Sequence, residues 1–151
     1  MTERDFDLEP SLDFLQRVWA LAHSLERLSK DMERRLSITA QQRLVLRCLG
    51  TYPGVTAGQL AKLLHLDPGT ISTRLRRLSQ KRLVERHVDS RDRRRVLLGL
   101  STRGRALVSV DDGTAERAVE RLIATAGEDA VAHTKKTLTL LARLVDDERN
   151  R

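Results

Sequence analysis

The apolar residues of this chain keep a helical period almost throughout and lose it once. From residue 11 to 81, and again from 101 to 148, they recur every three or four positions. Between these stretches lie LVERHV (83–88) and RVLLGL (95–100), two short β-prone runs flanking the charged segment DSRDRR (89–94). The pattern predicts a mainly α fold with one small β-hairpin whose tip is long and basic.

Residues 11–36 read as one long helix opened by Pro10 or Ser11. Phe14, Val18, Leu21, Leu25, Leu28 and Met32 follow one another at spacings of 4, 3, 4, 3 and 4, a coiled-coil period. Leu12, Leu15, Trp19 and Ala22 make a second stripe. Two stripes exceed what one small core needs, which points to a second chain. Thr39 caps a helix over 39–49 with Leu44, Val45, Cys48 and Leu49 inward, and Gly50–Gly54 is a turn. Thr56 caps a short helix with Leu60, Ala61, Leu63 and Leu64 inward. Asp67-Pro68 then starts a helix to about residue 81, its inward stripe made by Ile71, Leu75 and Leu78. After the hairpin, Ser101 or Thr102 caps a helix that Gly113 kinks or breaks and Gly127 ends. A last helix covers 128–148.

Charge sharpens this layout. The net charge is +7, and residues 68–95 hold ten basic and three acidic side chains, so the whole excess lies in 28 consecutive residues. That window is a helix followed by a hairpin tip. A short helix, a tight turn and the helix 68–81 form a helix-turn-helix, and the hairpin is its wing. Thr70, Ser72, Thr73, Arg74, Arg76 and Arg77 face away from the inward stripe. Hydroxyls and arginines in that arrangement suit the major groove of double-stranded DNA, and a basic tip suits the minor groove. Thr70, Ser72, Thr73 and Arg74 are the expected base readers; Arg76, Arg77 and Lys81 suit phosphates. Of Arg91, Arg93, Arg94 and Arg95, at least one is expected in the minor groove, Arg93 and Arg94 foremost, while another pairs with Asp89 or Asp92.

The segments LDPGTISTRLRRL (66–78) and DSRDRRRVLLGLSTRG (89–104) resemble the MarR family of bacterial transcription regulators. The wing segment carries two aspartates three apart, an arginine run, a strand, then Ser/Thr and Gly opening a helix. The resemblance is detailed over about 37–104 and covers the flanks in helical layout only. It implies one MarR-like domain over 1–151, with a winged helix-turn-helix lobe at 37–101 and a helical dimerisation region at 11–36 and 102–148. It also implies a homodimer on pseudo-palindromic DNA, commonly a repressor released by a small anionic or aromatic effector or by oxidation. Arg82 stands where the family usually has Gly; if that position is left-handed, the side chain costs roughly 1 kcal/mol.

Other features carry less. Trp19 and His23 share a helical face, as do Arg43 and Arg47, and the resemblance implies that effectors bind where the first, second and fifth helices meet the lobe. The plainer reading, Trp19 in a core or dimer interface and the arginines on the surface, is preferred. Cys48 lies on an apolar face, and the family's peroxide sensors carry their cysteine early in the first helix, where this chain has none. It reads as packed and inert. The four histidines are scattered, so no metal or other cofactor is expected. No nucleophile–base motif or phosphate loop supports an enzyme. No apolar run approaches a membrane span, the first ten residues are too polar for a secretory signal, and a single cysteine fits the cytoplasm. An architectural DNA binder without effector, or an adaptor for an acidic protein, are the alternatives.

Overall fold

The computed structural model describes residues 8–151; Phe6 and most of the polar N-terminal stretch lie outside the described residues. Helix α1 spans Pro10–Leu36, α2 Ala40–Thr51, α3 Ala57–Leu63 and α4 Pro68–Gln80. Strands β1 (Val84–Val88) and β2 (Val96–Leu100) follow, then α5 (Thr102–Val108), α6 (Ala115–Ala126) and α7 (Glu128–Arg149). The chain divides into two compact units, one through Asp111 and one from Asp112.

Helix starts follow the expected chemistry. Thr39 and Thr56 each accept from the backbone N–H three residues on, and Gln42 and Gln59 return the bond, two complete capping boxes. Asp67 caps α4 with Pro68 at its first position. The expected helix after the hairpin is broken rather than kinked: α5 ends at Val108, Gly113 takes φ +67°, and Thr114 caps α6.

The core of the first unit gathers Ile38, Val45, Leu46 and Leu49 with Leu60, the α4 stripe Ile71, Leu75 and Leu78, and Leu83, Leu98 and Leu100. Two expected inward residues are exposed. Leu44 gives way on α2 to Leu46, and Leu63 is turned outward on α3. Each flanks the true stripe, and an apolar side chain at a stripe's edge sits equally well at the rim. Arg43 is the larger surprise, since it is fully buried. Its guanidinium donates to the Leu107 and Val108 carbonyls at 2.9 and 3.1 Å, satisfying the exposed end of α5, and Asp111 lies 3.8 Å away. Leu107 and Val108 themselves pack on this core, so α5 joins the lobe. Val55 adds an isolated bridge to Leu98 beside the β1–β2 pair.

Helices α3 and α4 end the same way. Past α3, Leu66 N–H donates to the Ala61 carbonyl and His65 N–H to that of Lys62. Past α4, Leu83 N–H donates to the Leu78 carbonyl and Arg82 N–H to that of Ser79. Both are Schellman motifs whose left-handed residue is not glycine: φ is +51° at His65 and +58° at Arg82. The second is locked by the base of the wing. Ser101 donates its hydroxyl to the Arg82 carbonyl at 2.8 Å and its N–H to the Leu83 carbonyl at 3.1 Å. Gly104 is required there, because a Cβ would come within 2.2 Å of the Leu83 oxygen.

The α1 stripes remain outside this core. Phe14, Leu15, Trp19, Leu21 and Leu25 are exposed, and of α1 only Met32 is buried. Neither α6 nor α7 has a buried residue.

Replacing Arg82 by Gly removes the left-handed side chain while keeping both backbone bonds. Urea denaturation should show a gain of about 1 kcal/mol.

Candidate nucleic-acid interface

Burying Ile71, Leu75 and Leu78 fixes the rotation of α4 and leaves Gly69, Ser72, Thr73, Arg76 and Arg77 exposed. Thr70 differs from the expectation. Its N–H donates to Asp67 Oδ1 at 2.8 Å and its hydroxyl to Asp67 Oδ2, so it serves the cap. These bonds hold the Asp67 carboxyl below the usual carboxylate range. Arg74 is half-buried and donates to Gln41 Oε1 of α2 at 2.6 Å. Lys81 donates to the Ser37 carbonyl, where α1 ends, and lies 3.5 Å from Gln42 Oε1. Ser72, Thr73, Arg76 and Arg77 therefore form the part of the expected set whose side chains have no partner among the described residues.

The wing is built around its two aspartates. The register Val88↔Val96 leaves 89–95 as the loop. Asp89 Oδ1 accepts from Arg91 N–H at 2.9 Å and Asp92 Oδ1 from Arg94 N–H at 3.0 Å, two Asx turns in succession. Asp89 N–H donates to the Arg95 carbonyl and Arg95 N–H to the Asp92 carbonyl, both at 2.9 Å. Side chains sort accordingly. Arg95 lies 3.7 Å from the largely buried Asp89 carboxylate and braces the loop. Arg94 lies 3.6 Å from Asp92 but is 96% exposed. The Arg91 and Arg93 guanidinium groups have no partner among the described residues and project from a loop that the backbone has already fixed.

The four residues considered for an effector do not form one site. Trp19 is 67% exposed and lines a groove on α1 with Leu8, Leu12 and Leu15. His23, one turn on, is exposed as well. Arg47 lines a different cavity of about 380 Å³ with Thr51 and Arg105. Arg43 is enclosed and its N–H groups are engaged. Sequence reasoning missed Gln41 and Gln42 as supports of α4; the capping box marks where α2 begins but not what its first turn touches.

Cys48 is half-buried, and desolvation raises its thiol pKa. Among the described residues no group of His, Cys, Asp and Glu could hold a metal, and no helix is long and apolar enough to cross a membrane.

Comparison with known proteins agrees with this geometry. The MarR family model matches residues 38–96. The chain is 32% identical over 108 residues to the organic hydroperoxide resistance transcriptional regulator of Bacillus subtilis (strain 168), covering 70% of this chain and 72% of that one. It is 33% identical over 90 residues to the HTH-type transcriptional regulator TtmR of Methylorubrum extorquens (strain PA1), covering 60% of this chain and 46% of that protein. Among solved structures, it superposes on an S. aureus MepR–DNA complex with a TM-score of 0.69 at 27% identity, covering 91% of this chain and 98% of the other. Streptococcus pneumoniae FabT in complex with DNA gives 0.65 at 26%, with 93% and 99% covered.

Burial of Cys48 has a kinetic signature. Because its pKa is raised, less thiolate is present at any pH below that value, so disulfide-reagent labelling between pH 7 and 9 should run slower than with free cysteine. Labelling at the free-cysteine rate would contradict this environment. The partner-free face of α4, the braced basic wing and the matches over 38–96 and over 70% of the chain meet in one conclusion: the chain belongs to the MarR family of winged-helix transcription regulators.

Proposed function

We propose that this protein is a homodimeric regulator, acting as a repressor in the bacterial cytoplasm, that binds pseudo-palindromic duplex DNA and performs no catalysis. The observation that carries the reading is the presence, on one rigid lobe, of an exposed α4 face and a preformed basic wing tip. In this reading Ser72 and Thr73 reach base edges in the major groove and Arg76 and Arg77 reach phosphate. Arg91 and Arg93 reach the minor groove, with Arg94 beside them. Thr70, Arg74 and Arg95 hold these elements in place. MepR and FabT, both solved with DNA, support this docking. Two recognition helices in successive major grooves set half-site centres about 10 bp apart.

The dimer reading rests on α1, whose two apolar stripes stay exposed although they recur at a coiled-coil period. α6 and α7 add Leu122, Ile123, Leu138 and Leu144, all exposed. A small anionic or aromatic effector belongs to the reading, but Trp19, His23, Arg43 and Arg47 do not supply one joint site for it: Trp19 lines a groove on α1, Arg47 lines a separate cavity and Arg43 is engaged in the core. Thiol-based oxidation sensing is not part of the reading, because Cys48 is the only cysteine and burial works against its thiolate.

Selection from a random duplex library followed by footprinting should yield discrete palindromes; uniform coverage would instead fit an architectural binder. Affinity should fall steeply with salt, and Arg93→Ala should reduce the log–log slope by about 0.9 for each phosphate charge that Arg93 neutralises. An unchanged slope would remove Arg93 from the interface. Sedimentation at micromolar concentration should give a dimer, and Leu21→Glu with Leu25→Glu should shift it toward monomer.

A further inference from the structure

The two faces of the wing hairpin are chemically unlike. Side chains of a strand alternate between faces, and the register Val84↔Leu100, Arg86↔Leu98 and Val88↔Val96 puts these three pairs on one face. Val84, Leu98 and Leu100 are buried, so this is the face that closes the core. The core runs out before the hairpin does. Arg86, Val88 and Val96 continue the same face beyond it and are exposed. Two valines directly opposite one another are thus left in solvent. Beside them stands a guanidinium group with no partner among the described residues. The other face carries Glu85 and His87, whose side chains lie 3.5 Å apart. The acid of β1 is therefore turned away from Arg86.

The place of this strip in the chain gives it a partner. α4 carries groups suited to the major groove, the tip carries groups suited to the minor groove, and β1 is the chain between them. Adjacent grooves of a duplex are separated by one sugar–phosphate strand, so a protein that engages both must cross that strand. The five residues of β1 give roughly 17 Å of extended chain, more than the roughly 12 Å width of the major groove. We propose that Arg86 and the Val88–Val96 pair form a saddle for the DNA backbone: the guanidinium group binds one phosphate and the valines pack against the adjoining deoxyribose. The inference rests on the regulator reading and adds to it a contact that neither α4 nor the tip supplies. Charge complementarity and continuity with α4 and the tip favour the duplex over an acidic protein as the occupant. A contact of this kind sets the position of the wing on the duplex and reads no base.

Phosphate-ethylation interference on a duplex selected by the full-length protein is the test. The parent should show interference at a phosphate lying between the α4 contacts and the tip contacts. Arg86→Gln should lose that signal alone, bind about tenfold more weakly on every sequence and lower the log–log salt slope by about 0.9. Arg86→Lys should keep the slope, and Glu85→Gln, on the far face, should leave the interference pattern as it is. Val88→Asp should also weaken binding, because it sets a carboxylate against the backbone. All these side chains are exposed, so the variants should unfold at the urea midpoint of the parent. An unchanged slope and interference pattern in Arg86→Gln overturns the saddle and leaves an acidic protein as the occupant. Loss of preference at a single base pair overturns the phosphate assignment, and Val88→Asp binding as the parent does overturns the sugar contact. A parent that binds no duplex overturns the regulator reading and the saddle together, whereas a binding parent with an unaltered Arg86→Gln variant overturns the saddle alone.

Discussion

The wing and the recognition helix are aimed by one joint, the stretch from Leu78 to Leu83 closed against Ser101 and Gly104. The Schellman bonds turn the chain sharply at Arg82, and Leu83 plugs the core below the turn. Ser101 then ties the end of β2 to the Arg82 and Leu83 carbonyls, and Gly104 lets α5 lie against that backbone. The direction of α4, the root of both strands and the start of α5 are thereby set by one small polar knot over an apolar plug. A side chain at residue 104, or loss of the Ser101 hydroxyl, would disturb all of them together.

Around that joint the polar groups divide into two kinds of work. Some of the expected DNA-facing groups hold the protein: the Thr70 hydroxyl is bound to Asp67, Arg74 to Gln41, and Arg95 faces Asp89. Others have no partner among the described residues and stand on surfaces that those bonds make rigid. Holding residues and reaching residues alternate along α4 because the helical period sends neighbours to different flanks. An arginine count therefore overstates the binding surface, and the free guanidinium groups are better placed because others are not free.

Local signals are legible in the sequence and distant partners are not. Asp67-Pro68, the two Thr-x-x-Gln boxes and the stripe Ile71, Leu75 and Leu78 can be read directly, since each is decided within one or two turns of chain. The left-handed backbone at Arg82 is likewise foreseeable as a condition, from a position where glycine is expected. Arg43 is illegible as a buried residue because its carbonyl partners come 64 and 65 residues later. Leu44 and Leu63 are easily misplaced because an apolar residue at the border of a stripe has no local reason to choose a side. Val55 stands between the turn Gly50–Gly54 and the Thr56 cap with no local pattern of its own, and only its pairing with Leu98 makes it strand-like.

The double Asx turn of the wing has a consequence for how fast the protein could find its partner. A flexible basic loop must be ordered when it meets a narrow groove, and each residue fixed then slows productive encounters and weakens the complex. Here the aspartates fix the loop during folding, at the expense of two of its positive charges. In the proposed docking, the part that meets the duplex is a preformed hook, less strongly charged than its arginine content suggests. Its capture rate should depend on orientation and long-range attraction, with little waiting for a loop to take shape.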